Sequence, residues 1–394
     1  MRKAIFHAAT TLTALCLLLA WNSKAGGTIK IATQSPLSGS ISVIGVDIKG
    51  GCQMAIEQLS GPLNKMGFKV ELSPYDDQAN PDTGVANAKA IVSDPDVLGI
   101  IGHYNSGVQI PSSEEYHAAN LANISPANSN PKVTDRGYLE VSRVCGRDDV
   151  QGAVGAQFAK NKGLKKAWVV HDKTAYGQGI AEYFNKTCKE LGIQVGGFTG
   201  TEEKYNFDPI LSPILAFKPD VIYFGGIFDQ GAAMFKQARQ KGYMGMCLSD
   251  DAFDDPEALK IGGDILKQGV GTYYSTLCGP ASLYPDTAKF VDQFKAKFGH
   301  EPHTYAPQAY DATHIMLLAI ENAIKANGGN LPSRMDVAKG VRALSGFKGI
   351  SGTYKFDWKG DPVTSQYFVL QVTANNADGW FGNKVIQSLD LKAP

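Results

Sequence analysis

Four stretches of the chain end an apolar run in side chains and backbone groups able to grip a charged small molecule. In VLGIIGHYNSGVQIPSSEE the apolar residues 97–101 give way to Tyr104, Asn105, Ser106 and Gly107. A helical pattern follows, with Pro111 read into an early turn and Glu114 and Glu115 behind it. A helix N-terminus presents unpaired N–H groups and a partial positive charge, so this corner is a seat for a carboxylate, with the Ser106 hydroxyl as an added donor. SPANSNP ends a second run with the backbone of Ala127 and the hydroxyl of Ser129. HDKTAYGQG sets Tyr176 just before a helix, and LSDDAF puts Asp250 and Asp251 at a strand end in the second half.

Each of these has an ordinary structural reading. Ser106 and Ser129 would serve as helix or turn caps, Tyr176 as a packing ring, and Asp251 as a cap for DPEALK, where Asp254 and Asp255 are better placed. Taken together they set carboxylate donors in one half of the chain and an anionic group with a phenol in the other. That division suits a zwitterion held at both ends.

Catalytic chemistry has weaker support. The chain has no GxSxG elbow, P-loop, HExxH or kinase motif, and YGQGIAE offers two glycines where a dinucleotide-binding turn needs three nearer its strand. A secreted hydrolase or dehydrogenase is the least favoured class. No CxxC or tight Cys/His spacing points to a metal, and His300 and His303 in GHEPH read as solvated loop side chains.

The elements that must position these corners alternate along the chain. TIKIAT, KVELSPYDD, VLGIIGH and ANISPA read as strands separated by helical patterns, and the rhythm restarts after Gly146 with KAWVVHD, QVGGF, VIYFGGI, MCLSDDAF and GVGTYYS. Such alternation argues for an α/β fold of two doubly wound parallel-sheet lobes. Residues 282–345 read as mostly helical, and ISGTYKFD with SQYFVLQVT as a closing pair of strands. The chain would thus return to finish both lobes across a hinge, leaving a cleft faced by the carboxyl ends of the strands, where open α/β sheets bind ligands.

The N-terminus belongs to targeting. Arg2 and Lys3 precede an uncharged stretch through LTALCLLLAW, and Ser23 and Ala25 stand at −3 and −1 of a cleavage site, the pattern of a signal peptide over residues 1–25. Cleavage removes Arg2, Lys3 and Lys24 and no acid, so the 38 basic residues fall by three to 35 against 38 acidic ones, a net charge of −3. A chain so balanced is not a nucleic-acid binder. The ~370 residues left exceed one ordinary core, so two domains are expected. Five cysteines remain: Cys52, Cys145, Cys188, Cys247 and Cys278.

At the same corners the chain resembles the periplasmic branched-chain amino acid (Leu/Ile/Val)-binding proteins of ABC transporters, within the type I periplasmic binding protein family. The likeness runs from about Thr28 to near Asp378 and is carried by IKIATQSPLSG, GHYNSG with IPSS, ISPANSNPK, VCGRDD, VVHDKTAYGQG, YFGG and TYAPQAYDA. It implies two lobes joined by three hinge crossings, with residues 28–147 and 274–355 in one and 148–273 and 356–394 in the other. It further implies a periplasmic, monomeric receptor without cofactor that hands its amino acid to an ABC permease. By motif position, Ser106 and Ser129 would hold the ligand carboxylate, Asp251 and the Ala127 carbonyl the ammonium, and Tyr176 would reach across on closure. Tyr104, Asn105 and Ile227 would shape the side-chain pocket.

Departures lie in that pocket. Ile44 and Ile227 stand where relatives often carry aromatics, Tyr104 where an aliphatic wall is common, and Ala79 and Asn105 where some relatives carry a cysteine pair. Cys247 and Cys278, read as ending neighbouring strands, are the expected disulfide. The ligand class stays open among apolar amino acids, small amides and aromatic carboxylates, as does a sensing role in place of transport.

Overall fold

The computed structural model describes residues 26–277, 279, 283–284 and 286–394. The expected signal peptide lies outside them, as does Cys278.

Five parallel strands form the first sheet: β1 (Thr28–Ser35), β2 (Lys69–Asp76), β3 (Val97–Gly102), β4 (Ala122–Ser125) and β5 (Val141–Arg143), in the order β2-β1-β3-β4-β5. All six residues of β3 are buried, which explains why VLGIIG reads as one apolar run: helices cover both faces of the sheet. Between these strands lie α1 (Ser42–Leu59), α2 (Gly61–Lys65), α3 (Pro81–Ser93) and α4 (Ser106–Ala118).

The second sheet collects β6 (Lys166–His171), β7 (Gln194–Gly200), β8 (Val221–Gly225), β9 (Met246–Ser249) and β10 (Thr272–Thr276), all parallel, with the order β10-β9-β8-β6-β7. Its helices are α5 (Asp148–Asn161), α6 (Ala175–Glu190), α7 (Asp208–Phe217), α8 (Phe228–Gln240) and α9 (Pro256–Gly262). The chain then returns through α10 (Thr287–Phe298), α11 (Ala306–Ala326) and α12 (Arg334–Arg342), and α1 packs along α11.

Three expectations are corrected here. The two C-terminal strand patterns do not pair with each other. Thr353–Lys355 (β12) pairs with Ser345–Lys348 (β11) in a separate two-stranded ribbon, whereas Thr364–Gln371 (β13) pairs antiparallel with β10 and with Lys384–Lys392 (β14). The amphipathic register of β14, exposed along much of one edge, gave too weak a pattern to read. Next, β10 belongs to the second sheet as far as Thr276, so the chain leaves that sheet after the expected boundary at residue 274. Finally, Pro111 lies inside α4, because the helix begins at Ser106 itself.

A buried ion-pair cluster fastens the passage from β5 to α5 to the segment leading into β13. Arg143 Nε donates to Asp361 Oδ1 at 2.6 Å and Arg147 Nη1 to Asp361 Oδ2 at 2.7 Å. Burial works against the Asp361 charge, but the two guanidiniums prevail and hold its carboxyl below the usual range.

Candidate functional site

Parallel register brings the carboxyl ends of the strands into line: Gln34 opposite Gly102 and Ile101 opposite Ile124 in the first sheet, His171 opposite Gly225 in the second. The corners beyond those ends enclose a cavity of ≈ 370 Å³ whose walls include Tyr104, Asn105, Ser106, Ala127, Tyr176, Ile227 and Asp251. Of the eight ligand-binding candidates read from sequence, seven line this cavity. The eighth, Ser129, is 1 % exposed and lies on the same loop as Ala127.

The first wall is held by a buried network. His103 Nδ1 sits 3.2 Å from Asp77 Oδ2 and its Nε2 3.1 Å from the Tyr116 hydroxyl, while its backbone N–H donates to Asn128 Oδ1 at 2.9 Å. Asn123 Nδ2 donates to the Gly102 carbonyl, and Ser125 Oγ to Asn128 Oδ1. These bonds lock the β3 corner to the β4 loop, and so fix Tyr104 and Ser106 relative to Ala127 and Ser129.

Neither serine serves as a cap. Asn105 occupies the N-cap position of α4, Ser106 is its first helical residue, and the Ser106 hydroxyl accepts only a long 3.4 Å bond from the Asn130 N–H. The Tyr104 hydroxyl and Asn105 Oδ1 are buried with no hydrogen-bond partner within the protein, whereas the Ser129 hydroxyl lies against the buried Asp148 carboxyl. Buried polar groups are almost always paired, so these two on the cavity wall are suited to a polar ligand.

The second wall carries acid. Thr174 caps α6, its hydroxyl accepting from the Gly177 N–H at 2.9 Å, and Asp172 Oδ1 accepts from both the Thr174 N–H and its hydroxyl. Gly177 has no room for a side chain: a Cβ there would meet Asp172 Oδ1 at 2.2 Å and the Gly225 carbonyl at 2.5 Å. This close packing sets Tyr176 in the second position of the helix. Its hydroxyl donates to Asp251 Oδ1 at 2.8 Å and accepts from the Ala252 N–H at 3.3 Å. Asp250 Oδ2 accepts from the Gly226 N–H at 2.9 Å, and its other oxygen has no partner.

Sequence reasoning missed Tyr305, whose hydroxyl donates to Asp251 Oδ2 and whose ring leans on Tyr104 at 5.9 Å between centroids. Tyr305 has φ of +79°, a conformation costly for an aromatic residue and one that tends to persist at functional positions. No spacing rule announces it; only its place in TYAPQAYDA hinted at a role.

Three carboxylates, Asp148, Asp250 and Asp251, are buried close together around this wall. Burial raises all three above the ordinary aspartate range, and the negative charge of Asp251 adds to the rise at Asp148 and Asp250. At Asp251 the two tyrosine hydroxyls oppose the rise. Such a group gains from a cation seated against it. The two walls already touch at the rim: Asn130 Nδ2 donates to the Ala175 carbonyl at 2.7 Å, and Ser40 Oγ to Asp229 Oδ2 at 3.2 Å.

The expected disulfide between Cys247 and Cys278 falls partly outside the described residues, because Cys278 is not among them; Cys247 is buried in β9, opposite Thr272 at the start of β10.

A family model described as periplasmic binding protein matches residues 28–378. The chain is 32 % identical to Leu/Ile/Val-binding protein homolog 1 of Brucella melitensis, over 96 % of this chain and 98 % of that protein. It is 31 % identical to the leucine-, isoleucine-, valine-, threonine- and alanine-binding protein of Pseudomonas aeruginosa, over 89 % and 91 %. Its fold is similar to the crystal structure of a leucine-binding protein from Thermotoga maritima, with a TM-score of 0.82 and 31 % identity over 92 % of this chain and 98 % of that one.

Proposed function

The chain belongs to the periplasmic binding protein family, and on that premise we propose that it is a receptor for an apolar, branched-chain-type α-amino acid, which it delivers to an ABC permease. The observation that carries this reading is the opposition of the two walls. A buried, cation-seeking Asp251 faces a helix N-terminus and serine hydroxyls suited to an anion, across a cavity of ≈ 370 Å³. That volume falls within the ~300–1,000 Å³ of ordinary small-molecule sites.

In the proposed complex the ligand carboxylate accepts from the Ser106 and Ser129 hydroxyls and the free N–H groups at the start of α4. The ammonium donates to Asp251 and to the Ala127 carbonyl. Tyr176 and Tyr305 hold the Asp251 carboxylate in place from opposite sides, while Tyr104, Asn105 and Ile227 border the side chain. Binding, release and closure of the walls suffice for this role; no bond in the ligand is made or broken. The supporting fact for a periplasmic site of action is family membership, and among the described residues no helix is long and apolar enough to cross a membrane.

The test is a thermal-shift screen of the mature chain, unfolded and refolded to strip bound ligand, against the amino acids, small amides and aromatic carboxylates. A ligand at 100 times its Kd adds about 2.7 kcal/mol of stability, an easily read shift. The proposal expects shifts with leucine, isoleucine and valine. Shifts confined to acids lacking an amine would contradict it.

A further inference from the structure

Away from the cavity, the loop joining α10 to α11 brings two histidines onto a buried carboxylate of α1. The sequence reading of both as solvated side chains holds only for His300, which is half-exposed; His303 is 14 % exposed, and Asp47, which both meet, is 2 % exposed. The loop folds back because its backbone is bonded: the His303 N–H donates to Asp47 Oδ2 at 2.8 Å, and Thr304 Oγ1 donates to the Asp254 carbonyl at 2.9 Å.

The hydrogen bonds of the two rings determine which nitrogens carry protons. His300 Nδ1 lies 2.8 Å from the Glu301 carbonyl, which can only accept, so in the neutral ring Nε2 bears the lone pair. That Nε2 is 3.6 Å from Asp47 Oδ1, too far for a hydrogen bond. His303 Nδ1 lies 3.0 Å from Asp255 Oδ2, and a carboxylate acceptor there leaves Nε2 of this ring as its ligand atom too. One donor atom each from Asp47, His300 and His303 lies within 4.8 Å of the others, and no other such trio of His, Cys, Asp or Glu comes together among the described residues.

We propose that Asp47, His300 and His303 form a binding site for a first-row divalent cation, Zn²⁺ foremost, with Asp255 orienting the His303 ring. Two imidazoles and one carboxylate are a donor set for zinc and its neighbours, whereas Ca²⁺ and Mg²⁺ want oxygen throughout. A metal with ligands at ~2.0–2.1 Å draws the donor atoms closer than they now stand, and half-exposed His300 has the freedom to move in. The His300–His303 side also borders an open cavity of ≈ 380 Å³, from which water supplies a fourth ligand. The carboxylate–histidine–metal relay at Asp255 is the usual support of such a ring. Bound there, the metal would tie α1 to the segment that carries Tyr305 into the amino acid site.

The experiment titrates the mature chain, free of any affinity tag and freed of metal by chelation, with Zn²⁺ in a calorimeter and with Co²⁺ by visible absorption. One equivalent of Zn²⁺ and the strong visible bands of a low-coordinate Co²⁺ centre are expected. His300→Ala weakens Zn²⁺ binding at least ~10–100-fold, the range that even a lost supporting residue produces. His117→Ala, which alters a surface ring elsewhere, leaves it unchanged. The proposal is overturned if the wild-type chain binds Zn²⁺ no more tightly than His300→Ala, for the trio then holds no metal. Equal losses in both variants would overturn it as well, pointing to scattered surface histidines.

Discussion

Two strand edges face one another across the cavity, built alike from parallel strands that end in helix-starting corners, yet they leave different groups unpaired. On the first, the N–H groups at the start of α4 and the buried Tyr104 hydroxyl look for an acceptor. On the second, Asp251 is gripped by Tyr176 and Tyr305 while burial raises its affinity for a proton. Helix N-termini alone would make both walls anion seats. Two adjacent aspartates at the end of β9 reverse the sign of the second, so a ligand carrying both charges has one orientation available.

The sharpest way to break this contrast is to neutralise the second wall. Asp251→Asn keeps the shape and one acceptor for a tyrosine hydroxyl, replaces the other by an N–H donor, and removes the charge proposed to face the ammonium. Charge-assisted bonds contribute about 1.5–3 kcal/mol, so leucine binding measured by calorimetry is expected to weaken ~10- to 150-fold. An unchanged Kd would leave the wall without its assigned part.

Changes to the first wall have the next effect. Ser106→Ala or Ser129→Ala removes one hydroxyl while the backbone amides stay, and each should weaken leucine by about tenfold, at the low end of that range. The loss should extend to simple carboxylic acids, because in the proposed complex the hydroxyl serves the carboxylate that both ligands share. A loss seen with leucine alone would move these serines to the other end of the ligand.

Acidity separates the walls without mutation. The Asp251 carboxyl is raised in the unliganded protein and must be ionised to hold an ammonium, so leucine affinity falls as pH drops into that raised range, above the ~3.9 of an ordinary aspartate. The Ser106 hydroxyl and the amides at the start of α4 do not titrate there. As long as the pH stays above the ligand's own pKa, affinity for a carboxylic acid lacking the amine should therefore hold steady or rise over the same interval. Parallel declines for both ligands would argue that the charge difference is not what sorts them.

The smallest expected effect lies at the junction of the walls. Tyr305→Phe keeps the ring against Tyr104 and deletes one bond to Asp251, for a cost near 0.5–1.5 kcal/mol, or roughly 2- to 12-fold in leucine affinity. Tyr305→Ala should cost more than that, since it also removes the ring packed beside Tyr104.

Much of this contrast was legible before folding, for a definite reason. The corners follow short apolar runs, and a parallel strand buried on both faces leaves such a run unmistakable in VLGIIG and VIYFG. Once the strands are placed, Ser106, Ala127, Tyr176 and Asp251 fall at their carboxyl ends. Tyr305 was not legible, because it enters from the return segment at the N-terminus of α11, far in sequence from either edge. Nor was the burial of His303, which depends on bonds to Asp47 and Asp255 from two different parts of the chain. β14 was missed for the opposite reason: an edge strand half exposed to solvent carries little apolar signal.

The most direct test of the central claim crosses one change in the protein with one in the ligand. Leucine and 4-methylpentanoate, which is leucine without its amine, are each titrated into the wild-type chain and into Asp251→Asn. With Asp251 holding the ammonium, the substitution weakens leucine by tenfold or more and leaves 4-methylpentanoate unchanged or tighter. If both ligands weaken by the same factor, Asp251 does not meet the ammonium, and the opposition of the two walls does not orient the ligand.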